Sequence, residues 1–199
     1  MGEVTRCGWV SNDAIYQQYH DEVWGRPVYD NLELFAKLCL DGQQAGLSWI
    51  TILKRQQNYY QAFANFVPSE IAKFDDARVE ALMLDSGIIR NRAKIRSIIG
   101  NAKAYLAMEQ QGENFSEFLW NFVGGEPQVN HFRQLSEVPT QTPESTAMSK
   151  ALKKKGFNFC GPTICYAFMQ AVGMVNDHLT DCFCYKYTSD VSRETSNKQ

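Results

Sequence analysis

The chain has no apolar run approaching the ~20 residues that a membrane-spanning helix needs. Its opening residues, MGEVTRCGWV, lack the apolar stretch of a secretory signal, which predicts a cytoplasmic protein. The six cysteines (7, 39, 160, 165, 182 and 184) contain no C-x-x-C, excluding a thioredoxin-like redox pair and a zinc ribbon. Without an export signal, they also argue against a disulfide framework. There is no large charge of one sign, the formal balance being −2, so any nucleic-acid contact has to come from local patches. Neither a repeat of fixed period nor a regular β-α alternation occurs.

What is present is helical patterning. In NLELFAKLCL (31–40), Leu32, Phe35, Leu38 and Cys39 share one helical face, and Asp30 precedes it as a cap. LSWITILKRQQNYYQAFANF continues with apolar residues at three- and four-residue intervals, and Pro68 fits a first helical turn. The stretch from Asn91 to Gly112 is long and amphipathic, with Ile95, Ile98, Ile99, Ala102 and Leu106 facing inward. Residues 125–146 are polar and read as a long ordered loop, while SKALKKKG and PTICYAFMQAVG read as two helices stopped by Gly156 and Gly173. The expectation is an all-α fold, with residues 1–199 forming one domain of two closely packed helical lobes and about 186–199 a frayed tail.

Chemistry-bearing residues gather at both ends of the chain. His178 and Cys182, four apart in MVNDHLTDCFCY, point the same way on a helical or turn-like segment. Cys7 and His20, in CGWVSNDAIYQQYH, complete a Cys2His2 set of the kind that closes a structural zinc site. Cys184 competes with Cys182 for that role, and a lone cysteine in a helical domain is often a small core hydrophobe.

Two basic runs stand beside glycine turns. Arg90, Arg92, Lys94 and Arg96 fall within GIIRNRAKIRSI, and Lys150, Lys153, Lys154 and Lys155 lead into GFNFCGPTICYAF. In the second, a helix ends, a turn containing Gly161 follows, and a new helix begins at Pro162. That geometry offers free backbone N–H groups and a positive helix end to a DNA phosphate. Solvated helix faces joined by a simple connector would have the same pattern.

The amino-terminal third is rich in aromatics: Trp9, Tyr16, Tyr19, Trp24, Tyr29 and Trp49. Asp41, read as opening the loop DGQQAGLSW, adds a lone carboxylate suited to an amino-bearing or cationic planar ligand such as a flipped base. Core packing accounts for at least some of these rings.

The strings CGWVSNDAIYQQYHDEVWG, LDGQQAGLSWITILKR, SGIIRNRAKIRSIIGNA and GFNFCGPTICYAFMQAVGMVNDHLTDC closely resemble the bacterial 3-methyladenine DNA glycosylase I family, over about Arg6 to Tyr185. The resemblance implies an all-helical fold of the helix-hairpin-helix superfamily. It also implies excision of 3-methyladenine from alkylated duplex DNA and a structural zinc held by Cys7, His20, His178 and Cys182. It places the DNA-gripping hairpin at the turn around Gly161, and the base pocket at Tyr16, Tyr19 and Trp49, with Trp24 nearby. The family's pocket carboxylate is usually Glu; the chain carries Asp41, one methylene shorter, as the expected base-reading and catalytic residue. The superfamily's general catalytic Asp position holds Asn176, and Asp177, one residue on, is expected to be structural. No lysine stands out as a Schiff-base nucleophile, so a monofunctional enzyme is expected; with no coiled-coil heptads and this size, it is expected to work as a monomer. The competing expectation is a non-catalytic DNA-binding protein of the same fold.

Overall fold

The computed structural model describes residues 4–186; the expected frayed tail from 187 on lies outside them. The described residues are mostly helical. Helix α1 (Ala14–Glu22) begins where the Asp13 side chain accepts from the Ile15 N–H, and α2 (Asn31–Gln43) where Asp30 accepts from both Leu32 and Glu33 N–H. The run predicted as one helix after Ser48 is broken into α3 (Trp49–Leu53) and α4 (Gln56–Ala62). Short α5 (Pro68–Ile71) and α6 (Asp76–Met83) follow; Pro68 occupies the first turn of α5, and Asp75 caps α6. Then come α7 (Arg92–Gln110), capped by Asn91, and α8 (Phe115–Trp120), capped by Asn114. Helix α9 (Pro143–Lys154) starts earlier than the sequence pattern indicates, from a Thr142–Ser145 capping box, and α10 is Pro162–Ala171.

Helix α2 is the centre of the packing. It contacts α3, α7, α8 and α10, and everything from Leu34 to Gln43 except Lys37 is buried. The inward face therefore includes Leu34, fully buried, while Leu32, expected inside, is 46 % exposed. From Leu34 on the helix is buried nearly all round, and its carboxyl end carries Asp41 and Gln43 into the interior with it.

One departure from a purely helical chain is a two-residue parallel pair, β1 (Gln128–Val129) with β2 (Val175–Asn176), in register Gln128 to Val175. It lies partly within the polar stretch expected to be loop. The pair ties that stretch to the segment leaving α10, through Gln128 N–H to Met174 O (3.0 Å) and Asn130 N–H to Asn176 O (3.1 Å). The residues that follow β2 directly are Asp177 and His178.

The turn between α10 and β2 is equally constrained. Gly173 has φ +72°, and a Cβ there would lie 2.4 Å from Arg26 C and Pro27 N. The Val28 N–H also bonds to Val172 O at 3.0 Å. The chain leaving α1 is thus laid against the end of α10, bringing the amino-terminal and carboxy-terminal ligand segments together.

Candidate active site and metal centre

Cys7, His20, His178 and Cys182 are all buried, and their ligand atoms lie within 4.8 Å of one another. Cys182 Sγ is 3.5 Å from His20 Nε2 and 3.6 Å from His178 Nδ1, and Cys7 Sγ is 3.6 Å from His178 Nδ1. Tetrahedral zinc, with bonds of about 2.3 Å to sulfur and about 2.0 Å to nitrogen, sets sulfur–nitrogen edges of about 3.5 Å. The cluster has that spacing without adjustment. The outer ring nitrogens are engaged as a metal-binding histidine requires. His20 Nδ1 lies 2.7 Å from Asp21 Oδ1, which Arg6 grips through two guanidinium nitrogens, and His178 Nε2 lies 3.2 Å from Trp24 O. Cys184 falls outside the set of four, its sulfur directed at Asp21 O at 3.9 Å. The buried cluster can hold a metal ion and links the two ends of the chain.

The metal cluster backs directly onto an aromatic wall. Trp24 meets the His178 ring edge-on at 4.7 Å, Trp9 packs on Trp24 at 5.0 Å and on Tyr16 at 5.1 Å, and Tyr19 lies 5.5 Å from Trp49. These rings surround a cavity of about 190 Å³ that Asp41 also lines. Asp41 lies in the last turn of α2 rather than opening a loop, and is 2 % exposed. Two buried polar atoms of the cavity residues have no hydrogen-bond partner: the acceptor Asp41 Oδ2 and the donor Trp49 Nε1.

The other Asp41 oxygen is taken. Lys37, one turn earlier, places Nζ 2.5 Å from Oδ1 and 3.7 Å above the centre of the Trp49 ring. Burial raises the Asp41 pKa above its ordinary value, with the Lys37 charge pulling the other way; burial likewise lowers that of Lys37. Asp177 lines the same cavity, but its carboxylate is filled by donors: Tyr166 OH at 2.5 Å, Asn130 Nδ2 at 2.7 Å and Gln170 Nε2 at 2.9 Å.

Helices α9 and α10 pack together, and the turn between them bends through Phe159 at φ +52°. Gly161 caps α10 with no side-chain hydrogen bond, and a Cβ built on it would meet nothing within 4 Å. Lys153 and Lys154 are exposed beside the turn, whereas Lys155 is ion-paired with Glu113. Three of the four residues of the first basic run are engaged within the protein, while Arg90 is exposed. Arg92 pairs with Glu80, Arg96 with Asp76, and Lys94 is buried, donating to Gln43 O and Ala45 O at 2.8 and 2.6 Å. Lys94 thus satisfies carbonyls at the end of α2 instead of offering its charge to phosphate.

Against known proteins, the sequence profile of the methyladenine glycosylase family matches residues 9–185. The chain belongs to that family. It is 57 % identical over 180 residues to DNA-3-methyladenine glycosylase 1 of Escherichia coli K12, covering 90 % of this chain and 96 % of that one. The Haemophilus influenzae DNA-3-methyladenine glycosylase is likewise 57 % identical, over 90 % and 97 %. A crystal structure of 3-methyladenine DNA glycosylase I superposes with TM-score 0.90 at 55 % identity, covering 91 % of this chain and all of that one. The Staphylococcus aureus enzyme, solved for its 3-methyladenine recognition, gives 0.88 at 38 % identity, over 92 % and 98 %.

In this methyladenine glycosylase, the residues expected at the pocket (Tyr16, Tyr19, Trp24, Trp49 and Asp41) line one cavity. Sequence reasoning missed Lys37, Gln44 and Gln170 in that lining; Trp9, counted among the amino-terminal aromatics, lines it as well. For Lys37 a signal existed: a lysine four residues before a buried carboxylate on the same helix is a ready ion-pair partner.

Proposed function

We propose that this chain hydrolyses the N-glycosidic bond of 3-methyladenine in alkylated duplex DNA, leaving the strand intact. One observation carries the reading. The aromatic cavity presents an unpaired buried acceptor, Asp41 Oδ2, and an unpaired buried donor, Trp49 Nε1. A flipped adenine needs that pairing of wall atoms, its amino group donating to a carboxylate and a ring nitrogen accepting from an indole. Buried polar groups are costly to leave unmatched, so their presence in the wall supports a ligand that matches them.

Alkylation at N3 gives the base a positive charge, so the glycosidic bond is already weakened and the base departs neutral. The protein's task is to extrude the nucleotide, stack the cationic base on Tyr16, Tyr19 and Trp49, and distinguish it from adenine. Each well-placed ring contributes roughly 0.5–2 kcal/mol to holding a cation. Water then attacks C1′ of an oxocarbenium-like sugar.

The duplex is held, on this reading, by free N–H groups at the start of α10 near Gly161 and by Lys153 and Lys154, with Lys155 a weaker contributor because Glu113 takes part of its charge. Cys7, His20, His178 and Cys182 hold one zinc ion. Four protein ligands leave no open position, so the ion stabilises the fold and takes no part in the reaction. The protein acts as a single two-lobed domain, monomeric and cytoplasmic. Incubating it with methylated duplex and weighing the freed bases tests the proposal. Release of 3-methyladenine from unbroken strands is expected; tight binding with no base released would overturn it in favour of a binding-only protein.

A further inference from the structure

The base pocket contains a cation of its own. Lys37 Nζ makes the contacts that the cationic base is expected to make: a carboxylate oxygen of Asp41 at 2.5 Å, the face of Trp49 at 3.7 Å and, more distantly, that of Tyr19 at 5.9 Å. Lys37 keeps 16 % side-chain exposure, while Asp41 keeps 2 %. The carboxylate is enclosed, while part of the lysine side chain keeps contact with solvent.

We infer that Lys37 is a place-holding cation, exchanged for the charged base when the pocket fills, and that it thereby sets the pocket's selectivity. The inference rests on the glycosylase reading above. A buried carboxylate left without a partner is strongly unfavourable, so Asp41 needs a positive charge beside it whether or not a base is bound. In the unliganded protein Lys37 supplies it. A methylated base brings its own charge, so Lys37 can leave along its flexible four-carbon stem while Asp41 stays compensated. An undamaged adenine brings none, and evicting Lys37 for it would strand Asp41. The lysine thus makes entry of a neutral base unfavourable and entry of a cation an even exchange, which is discrimination by a repulsive alternative as well as by an attractive contact.

The test uses the full-length protein with N-methylquinolinium, a permanently cationic bicycle of purine size, and 1-methylnaphthalene, its neutral counterpart. Acylation of Lys37 by an amine-reactive ester, followed by mass spectrometry, reads whether the ammonium has left the pocket. Saturating cation is expected to raise the Lys37 acylation rate severalfold, and the neutral ring to leave it unchanged. Protection of Lys37 by the cation, or an equal rise with both, would overturn the exchange. Independently, Lys37→Met removes the competitor and is expected to bind N-methylquinolinium about tenfold more tightly by tryptophan quenching, with Lys37→Arg close to wild type. An unchanged or weaker affinity in folded K37M would also overturn it. Neither readout needs base excision, so a protein that releases no base from DNA would defeat the glycosylase reading while leaving these results to be judged separately.

Discussion

Gly42 packs against the hairpin turn so closely that a Cβ built on it would stand 3.0 Å from Phe159 O and 3.1 Å from Phe159 Cβ. Gly42 is the neighbour of Asp41, and Phe159 is the left-handed residue at the bend between α9 and α10. The residue next to the pocket carboxylate therefore lies against the turn proposed to grip phosphate, with no room between them for a side chain. Interiors this closely packed transmit small displacements rather than absorbing them.

Gly42→Ala should accordingly disturb both ends of that contact. Overpacking of this kind costs about 1–3 kcal/mol, since the neighbour is a backbone carbonyl and cannot swing aside. A lower urea midpoint and slower base excision are expected; unchanged stability and rate would mean the hairpin gives way freely.

Two other glycines separate structural need from functional need. Gly173 has φ +72° and leaves only 2.4 Å to the Arg26–Pro27 peptide, so Gly173→Ala should cost on the order of 3 kcal/mol or more and lower the thermal midpoint sharply. Gly161 has φ −64° and open space around it. Gly161→Ala should shift stability by no more than about 0.5 kcal/mol yet weaken duplex binding, because the methyl group would occupy the approach to the α10 N-terminus. Equal effects of the two substitutions on the melting curve would refute this division.

The basic run before the hairpin also divides. Lys153→Gln should lower the slope of log affinity against log salt by about one, the signature of a lost phosphate contact. Lys155→Gln breaks the pair with Glu113 and should change that slope less. A larger effect at 155 than at 153 would reassign the contact.

Metal removal should act on folding first. The four ligands join segments at opposite ends of the chain, so a chelator, or Cys182→Ala, is expected to cost several kcal/mol of stability. Cys184→Ser should retain one equivalent of metal by atomic absorption. Loss of excision from a stripped protein that melts normally would show the ion to be more than structural.

These residues show where a sequence yields its structure and where it withholds it. Spacing brings out Cys7, His20 and His178 with either Cys182 or Cys184, because H-x3-C is local and a Cys–His pair stands near the opposite end; the fold decides for Cys182. The aromatic pocket is legible as a concentration of rings. In the basic stretch from Arg90 to Arg96, the partners of Arg92 and Arg96 are Glu80 and Asp76 of α6, outside the local window, and Arg90 stays exposed. The Lys37–Asp41 pair is legible as a four-residue spacing on one helix, but the approach of Trp49 from α3 to the lysine is not. The β1–β2 pair is two residues long, too short for any alternation to register.

Asp41→Asn is the sharpest test of the pocket. The amide keeps the size of the side chain and removes its charge, so DNA affinity, which rests on backbone contacts elsewhere, should stay within about twofold. Excision of 3-methyladenine should fall, on the order of ten- to a hundredfold, if the charge–charge contact supplies the 1.4 to 2.7 kcal/mol that those factors represent. Lys37 complicates the variant in an instructive way, because the substitution leaves its ammonium facing an amide beside Trp49. Loss of the pair should free the lysine toward the pocket mouth, so the Asn variant ought to show faster Lys37 acylation even without ligand. A variant that lost duplex affinity while still holding methylated base would place Asp41 on the DNA-gripping side of the protein instead.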